Sequence, residues 1–215
     1  YDYYFEPTAA YFAIKKASEP LHIQWNPATD EVEVVNYSAG THKGLTAKVQ
    51  ILNMDASVAW EKEATVDSNE DTTNKCIKLA FPPNLSKVHF IKMVLTENGK
   101  VVSDNFYHRS LEENNYQDLR QLAKVALQST TTVDKNADGT WSAVSVIENK
   151  TSTPALMIRL NVVDSKDGQQ LLPVFYSDNY FSLLPGEKKE VRMSWKDEDT
   201  RGNEGKVLIT GYNVE

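Results

Sequence analysis

The sequence is poor in cysteine and has no long apolar segment. Its single cysteine, Cys76, cannot form a disulfide within the chain. No run approaches the roughly 20 apolar residues that a membrane-spanning helix needs. Nucleophile elbows, phosphate-binding glycine loops and metal motifs such as His-Glu-x-x-His are also missing. We therefore predict no cofactor, no bound metal and no catalytic residues of these types.

Positive charge is also scarce. Lysine and arginine number 23 against 30 acidic residues, a formal net charge of −7. DNA, RNA and anionic membrane surfaces are recognised through basic patches, so we expect neither a nucleic acid nor a membrane as partner. Hydrophobic residues make up 40% of the chain, enough for it to fold. At 215 residues the chain exceeds the usual domain size of about 100–150 residues, which favours two domains.

Two-residue hydrophobic alternation begins at Leu21 and is typical of half-buried strands. Tight-turn residues such as Asn98-Gly99 separate the runs. The first series of predicted strands comprises Leu21–Trp25, Glu31–Tyr37, Leu45–Asn53, Val58–Val66, Lys75–Phe81, Val88–Thr96 and Lys100–Tyr107.

A second series of seven runs follows. It comprises Leu122–Val133, Thr140–Glu148, Ala155–Val163, Leu171–Tyr176, Tyr180–Leu184, Glu190–Trp195 and Val207–Asn213. Seven short strands at intervals of about 8–12 residues are typical of an immunoglobulin-like sandwich. The fold class predicted is therefore all-β, with two tandem immunoglobulin-like β-sandwiches preceded by a short N-terminal helix.

The helix is predicted over Ala9–Lys16, between Pro7-Thr8 and the stop at Pro20. Its aromatic side suggests packing against something outside this chain. Ser110 and Glu113 have capping-box spacing, so one helical turn is expected there. The domains predicted are residues 1–20 as the terminal helix left from a preceding domain, 21–110 as the first sandwich and 111–215 as the second.

The acidic residues do not form the pair that glycoside hydrolysis needs, two carboxyl groups about 5–10 Å apart with one pKa raised. The best candidate for ligand contact is an aromatic and polar segment that interrupts two strands. We expect Tyr176, Asp178, Asn179 and Tyr180 to contact a carbohydrate there, against the alternative of packing or an interdomain contact. Cys76 lies in a strand and is expected to be structural.

Two other motifs have a simpler explanation. Asp134, Asn136, Asp138 and Gly139 match the opening of a calcium loop, but Ser145 stands where the closing acid belongs, which favours a polar hairpin turn. Sequons of the form Asn-x-Ser/Thr occur at three asparagines, for which chance suffices: Asn36, Asn84 and Asn149.

Three segments carry a family resemblance. Tyr3–Gln24 resembles the junction between the catalytic barrel and the C-terminal domains of glycoside hydrolase family 2 enzymes of the exo-β-D-glucosaminidase and β-mannosidase type. Ser103-Asp104-Asn105-Phe106-Tyr107 resembles the end of the next domain. Ser177–Glu187 is similar to the characteristic loop of the last domain.

The resemblance implies that catalysis lies elsewhere. Such enzymes retain anomeric configuration with two glutamates on a barrel, and that barrel would lie upstream of Tyr1. The partners implied are this upstream barrel of the same polypeptide and a carbohydrate, and the compartment implied is secreted or periplasmic. A chain that begins without an initiator Met fits an excised or processed product. Rival hypotheses are a stand-alone carbohydrate-binding module and an adhesin-like sandwich array.

Overall fold

Two compact units make up the chain. The structure, a computed structural model, describes residues 1–215. We call the unit Lys15–Gln121 sandwich 1 and the unit formed by Tyr1–Ile14 with Leu122–Glu215 sandwich 2. The divisions lie between residues 14 and 15 and between 121 and 122, whereas the sequence suggested divisions after residues 20 and 110. No helix in the structure combines the length and apolarity needed to cross a membrane.

Sandwich 1 contains all seven predicted strands of the first series. They are β1 (Leu21–Asn26), β2 (Glu31–Asn36), β3 (His42–Asn53), β4 (Val58–Ser68), β5 (Thr72–Lys78), β6 (Val88–Glu97) and β7 (Lys100–Ser110). One antiparallel sheet has the order β1-β2-β5 and the other β4-β3-β6-β7.

The alternation in β3 explains how these two sheets enclose a core. Leu45, Ala47, Val49 and Ile51 are fully buried, while the residues between them are only partly buried. They pack with the inward residues of both sheets, including Ile23, Val34, Ile77 and Ile91. The apolar face of β3 is thus removed from water, which is the main source of its stability.

Sandwich 2 repeats this arrangement. Its strands are β8 (Gln128–Lys135), β9 (Thr140–Glu148), β10 (Ala155–Asp164), β11 (Phe175–Tyr176), β12 (Phe181–Leu183), β13 (Lys188–Lys196) and β14 (Gly205–Thr210). The sheet orders are β12-β10-β14 and β11-β13-β9-β8. The buried core is built around Ile147, Ile158, Leu160, Val191 and Trp195. The predicted all-β fold class is confirmed.

Two strands begin at least four residues later than predicted. Leu122–Leu127 is not part of β8, because Val125 instead makes a parallel bridge with Val214. Leu171–Val174 precedes β11 without joining it, in a stretch where Pro173 has no N–H to donate to a ladder.

The helix α1 (Ala9–Ala17) matches the prediction, but its surroundings differ from it. Phe12 is buried against this same chain, so the expected uncovered aromatic side is wrong for that residue, although Tyr11 and Ile14 are exposed. The helical turn expected at Ser110 is also displaced, because β7 continues to Ser110 and a 3-10 helix forms at Gln117–Gln121.

In two of the three sequons, the asparagine side chain holds a turn at the end of a strand. Asn36 and Asn149 are fully buried, each directly after or at the end of a strand. The amide of Asn36 donates to the carbonyls of Gly40 and Ser68, and its oxygen accepts from the backbone and hydroxyl of Ser38. The amide of Asn149 donates to the carbonyls of Thr153 and Leu183, and its oxygen accepts from the backbone and hydroxyl of Thr151. The Asn-x-Ser/Thr pattern at these positions therefore encodes a side-chain clamp on a loop.

Acid should destabilise sandwich 1 through a buried histidine. His89 is 0% exposed, and burial lowers its pKa, as does the positive charge of Arg109. Unfolded histidine takes up a proton near pH 6.5, whereas folded His89 stays neutral to lower pH. Its contribution to stability is therefore complete above about pH 6.5 and is lost as pH falls toward the folded pKa, with a slope of at most ~1.4 kcal/mol per pH unit.

Urea unfolding between about pH 7.5 and pH 5 measures this slope. Burial lowers the pKa of His108 as well, so it contributes with the same sign. A His89→Leu variant should lose about half of the pH dependence in this window. An unchanged slope in the variant would contradict this assignment.

Candidate functional site

The segment predicted to contact a carbohydrate is built around a buried asparagine. The side-chain oxygen of Asn179 accepts a hydrogen bond from the Leu160 N–H at 2.8 Å, and its amide donates to the Leu160 carbonyl at 2.9 Å. β12 pairs with β10 only between Ala155 and Ile158, so no strand covers β10 at Leu160 on this edge. Asn179 therefore supplies, from its side chain, the hydrogen bonds that a neighbouring strand would make.

Tyr176 extends the same edge. Its hydroxyl accepts a hydrogen bond from the Val162 N–H at 3.2 Å, and the Leu171 N–H donates to the Val162 carbonyl at 2.9 Å. Burial raises the pKa of Tyr176 to about 12, so the phenol stays protonated. The side chains of Asn179 and Tyr176 and the N–H of Leu171 thus complete the hydrogen bonding of β10 beyond the end of β12.

Tyr180 belongs to an aromatic cluster with the N-terminal segment. The ring of Phe12 lies 6.0 Å from that of Tyr180 and 6.4 Å from that of Tyr176, measured between centroids. The carboxylate of Glu6 forms an ion pair with Arg159 beside this cluster. Sequence reasoning missed Phe12, Glu6 and Arg159, although an aromatic helix beside a β-domain was a usable signal.

Asp178 lies at the outer side of this segment. It forms an ion pair with Lys189, whose ammonium also lies 5.0 Å from the centroid of the Phe181 ring. Phe175, at the start of β11, is 68% exposed. The four predicted residues lie in one segment, and the neighbouring ring of Phe175 is open to solvent.

Several carboxyl groups of the chain have a shifted pKa. Glycoside hydrolysis requires one carboxyl with a raised pKa. Hydrogen bonds or neighbouring lysines hold the pKa of eight carboxyl groups below the ordinary range: Glu19, Glu31, Asp55, Glu61, Glu112, Asp138, Asp164 and Asp197.

The other candidate groups have structural surroundings. Burial raises the pKa of the Cys76 thiol to about 11, and the thiol donates to the Val32 carbonyl. The residues of the suspected calcium loop form the turn between β8 and β9, where Asp138 accepts from the Thr140 backbone and hydroxyl. No group of three or more His, Cys, Asp or Glu side chains is placed to hold a metal ion.

This geometry defines two immunoglobulin-like β-sandwiches in one chain. A family model described as the immunoglobulin-fold domain of exo-β-D-glucosaminidase matches residues 105–214, just over half of the chain. The chain belongs to this family. The predicted resemblance to the C-terminal immunoglobulin-like domains of glycoside hydrolase family 2 is thus confirmed.

Known relatives align along nearly the whole chain. The exo-β-D-glucosaminidase of Streptomyces avermitilis is 33% identical over 99% of this chain and 26% of its own length. The Hypocrea jecorina enzyme of the same name is 31% identical over 100% of this chain and 26% of its own. The chain thus spans about a quarter of the length of the curated relatives it matches.

Solved structures agree. The exo-chitosanase of Amycolatopsis orientalis matches 100% of this chain and 28% of its own, with a TM-score of 0.91 and 29% identity. A β-D-mannosidase from Dictyoglomus thermophilum matches with a TM-score of 0.67 at 15% identity, which supports the fold alone. The chain corresponds to a non-catalytic, immunoglobulin-fold accessory part of glycoside hydrolase family 2 enzymes.

Proposed function

We propose that this chain serves as the accessory region of a longer enzyme that hydrolyses terminal β-linked glucosamine. The observation that carries the proposal is similarity along 99% of the chain to an exo-β-D-glucosaminidase four times its length. A lily protein named as an endo-β-mannosidase is only 22% identical, so glucosamine is favoured over mannose.

The partner we propose is a catalytic barrel in the same polypeptide. The N-terminal segment offers it exposed aromatic surface at Tyr1, Tyr3, Tyr4 and Phe5, followed by Tyr11 and Ile14 on α1. Exposed apolar patches of this kind mark contact surfaces. Glu6 and Phe12 anchor the same segment to sandwich 2, so the barrel would dock on a fixed surface.

The compartment we propose is secreted or periplasmic. A polymer of β-linked glucosamine is too large and too polar to cross a lipid bilayer unaided, so an enzyme that shortens it works outside the cytoplasm. This part of the proposal rests on the proposed substrate.

Hydrolysis of 4-nitrophenyl β-D-glucosaminide tests the proposed function. The full-length protein should release nitrophenol, and the 215-residue chain alone should show only the background rate. The corresponding β-mannoside serves as the matched substrate and should react at least about tenfold more slowly, because a pocket that pairs the 2-ammonium loses that contact. Activity in the isolated chain, or none in the full-length protein, would overturn the proposal.

A second candidate function is direct carbohydrate contact at Tyr176, Asp178, Asn179 and Tyr180, which stays a prediction. The observation in its favour is the exposed ring of Phe175 next to this segment, since an open aromatic face can stack on a sugar ring. The buried hydrogen bonds of Tyr176 and Asn179 favour the alternative role of holding the β10 edge.

A further inference from the structure

The edge strand β8 leaves part of its backbone unpaired. β8 is the last strand in the order β11-β13-β9-β8, so only one of its two sides has a neighbouring strand. The N–H of Asn136 donates to the Thr140 carbonyl, and the register that this bond sets is unbroken along β8. Hydrogen-bonded pairs occur at every second residue of an antiparallel ladder, so the even-numbered residues of β8 bond to β9. The remaining N–H and carbonyl groups point away from the sheet at Ser129, Thr131 and Val133.

This open edge is accessible and uncharged. Residues 128–133 carry no charge, and the first five of them are exposed. Threonine and valine favour strands, so the segment is suited to remain extended. The edge strand β4 of sandwich 1 differs, because Glu61, Lys62 and Glu63 stand in its middle. Charged side chains on an edge hinder pairing with a further strand, and residues 128–133 of β8 lack them.

A second copy of the chain fits this edge with complementary side chains. When Thr131 of one copy lies opposite Thr131 of the other, antiparallel pairing places Gln128 opposite Asp134 on both sides of a two-fold axis. Gln128 and Asp134 project from the same face of β8, because side chains alternate between faces with a period of two. Neither has a hydrogen-bond or ion-pair partner within the chain. The glutamine amide can therefore donate to the facing carboxylate at both positions.

Self-association of this chain requires a surface that brings no like charges together. Each copy carries a net charge of −7, so much of the surface repels a second copy. In the register described, Asp134 is the only charged residue among residues 128–134, and it faces an amide. Lys135 lies beyond the paired residues and already forms an ion pair with Asp197. The β8 edge thus offers backbone hydrogen bonds without facing like charges.

We propose that β8 is a self-association surface, on which two copies of the chain pair antiparallel about Thr131 and join their four-stranded sheets into one. The contact supplies about six backbone hydrogen bonds between the copies. A single pair of strands buries less than the ~1,200 Å² typical of stable complexes, so the dimer is weak, with a dissociation constant in the micromolar range or above. This inference does not depend on the proposed function.

Sedimentation of the 215-residue chain over about 1 μM to 1 mM tests the surface. We expect a dimer that forms as the concentration rises. Ser129→Pro should weaken it at least about tenfold, because proline removes an outward N–H and leaves the ladder with β9 intact. Gln128→Glu should weaken it about fivefold, because it places a carboxylate opposite Asp134 twice.

A second substitution tests the register. Adding Asp134→Lys to Gln128→Glu should restore the dimer, because opposite charges then face each other across the two-fold axis. Glu148 lies opposite position 128 within the chain, and Asp134→Lys does not relieve its repulsion. Restoration therefore identifies a contact between copies. Thr65→Glu is the matched control, since it adds the same charge at an exposed position of the edge strand β4, and it should dimerise as the unmodified chain does.

Amide hydrogen exchange followed by NMR locates the contact. The outward amides of Ser129, Thr131 and Val133 should exchange fast at low concentration and become protected as the dimer forms. The amides of Thr130 and Thr132, which bond to β9, should be protected at every concentration.

Three results would each refute the surface. The first is a monomer at all concentrations, or a dimer in which the outward amides of β8 stay unprotected. The second is an equal effect of Gln128→Glu and Thr65→Glu, or no restoration by Asp134→Lys. The third is protection of the outward amides in a monomeric full-length protein, which would show that another segment of the same polypeptide covers this edge.

Discussion

Replacing Asn179 with alanine should lower the free energy of unfolding of sandwich 2 by about 3–5 kcal/mol. The side chain satisfies both the N–H and the carbonyl of Leu160, and both Asn179 and Leu160 are buried. Alanine leaves two buried backbone groups without their partners, and each such group costs ~1–3 kcal/mol. Urea unfolding followed by the fluorescence of Trp141 and Trp195, together with hydrogen exchange at the Leu160 amide, measures the loss.

Asp178→Ala provides the neighbouring control for this prediction. Asp178 and Lys189 form a partly exposed ion pair, and such pairs contribute ~0–1 kcal/mol. If Asn179→Ala destabilises no more than Asp178→Ala, or if the Leu160 amide keeps its protection, the strand-completing role of Asn179 is refuted. The comparison also bears on carbohydrate contact, because a residue that completes the hydrogen bonding of β10 changes stability without any ligand.

Replacing Phe12 with alanine should release the N-terminal segment from sandwich 2. Phe12 is 5% exposed and contacts the rings of Tyr176 and Tyr180. Burial of a phenylalanine is worth ~3–5 kcal/mol in a core. The effect here is bounded by the energy that docks residues 1–14, so we expect a loss of about 2–3 kcal/mol. Limited proteolysis should then cleave the segment at least about tenfold faster.

The matched control for this variant is Tyr11→Ala. Tyr11 is the adjacent aromatic residue on α1 and is 43% exposed, and its ring lies 5.1 Å from that of Phe12 between centroids. Its removal should therefore cost no more than about 1 kcal/mol and should raise the cleavage rate much less than Phe12→Ala does. Equal cleavage of Phe12→Ala and unmodified protein would show that the Glu6–Arg159 ion pair and the backbone alone hold the segment.

The strands were predictable because alternation is a local signal. In β3 and β10, every second residue is apolar, and burial follows that pattern without reference to the rest of the chain. The family could also be inferred, since its motifs are short and continuous, such as Ser177–Glu187. The predicted contact segment came together for the same reason, because its four residues are neighbours in sequence.

The turn-holding role of Asn36 and Asn149 could not be predicted from the sequence, although the Asn-x-Ser/Thr pattern marks both positions. At Asn36 and Asn149 the Asn-x-Ser/Thr pattern has two physical meanings, a glycan acceptor and a side-chain turn. Burial decides between them, and burial of a strand end depends on residues more than 30 positions away, such as Ser68 and Leu183.

The amino-acid sequence by itself determined the all-β class and nearly all of the strand positions. These follow from residue spacing and side-chain chemistry within short windows. The tertiary structure alone decided which side chain completes the β10 edge, where the N-terminal helix packs and which polar groups remain open at the surface. The physical reason is that hydrogen bonding and burial of a group depend on partners that are distant in the chain and become neighbours only when the sheets pack.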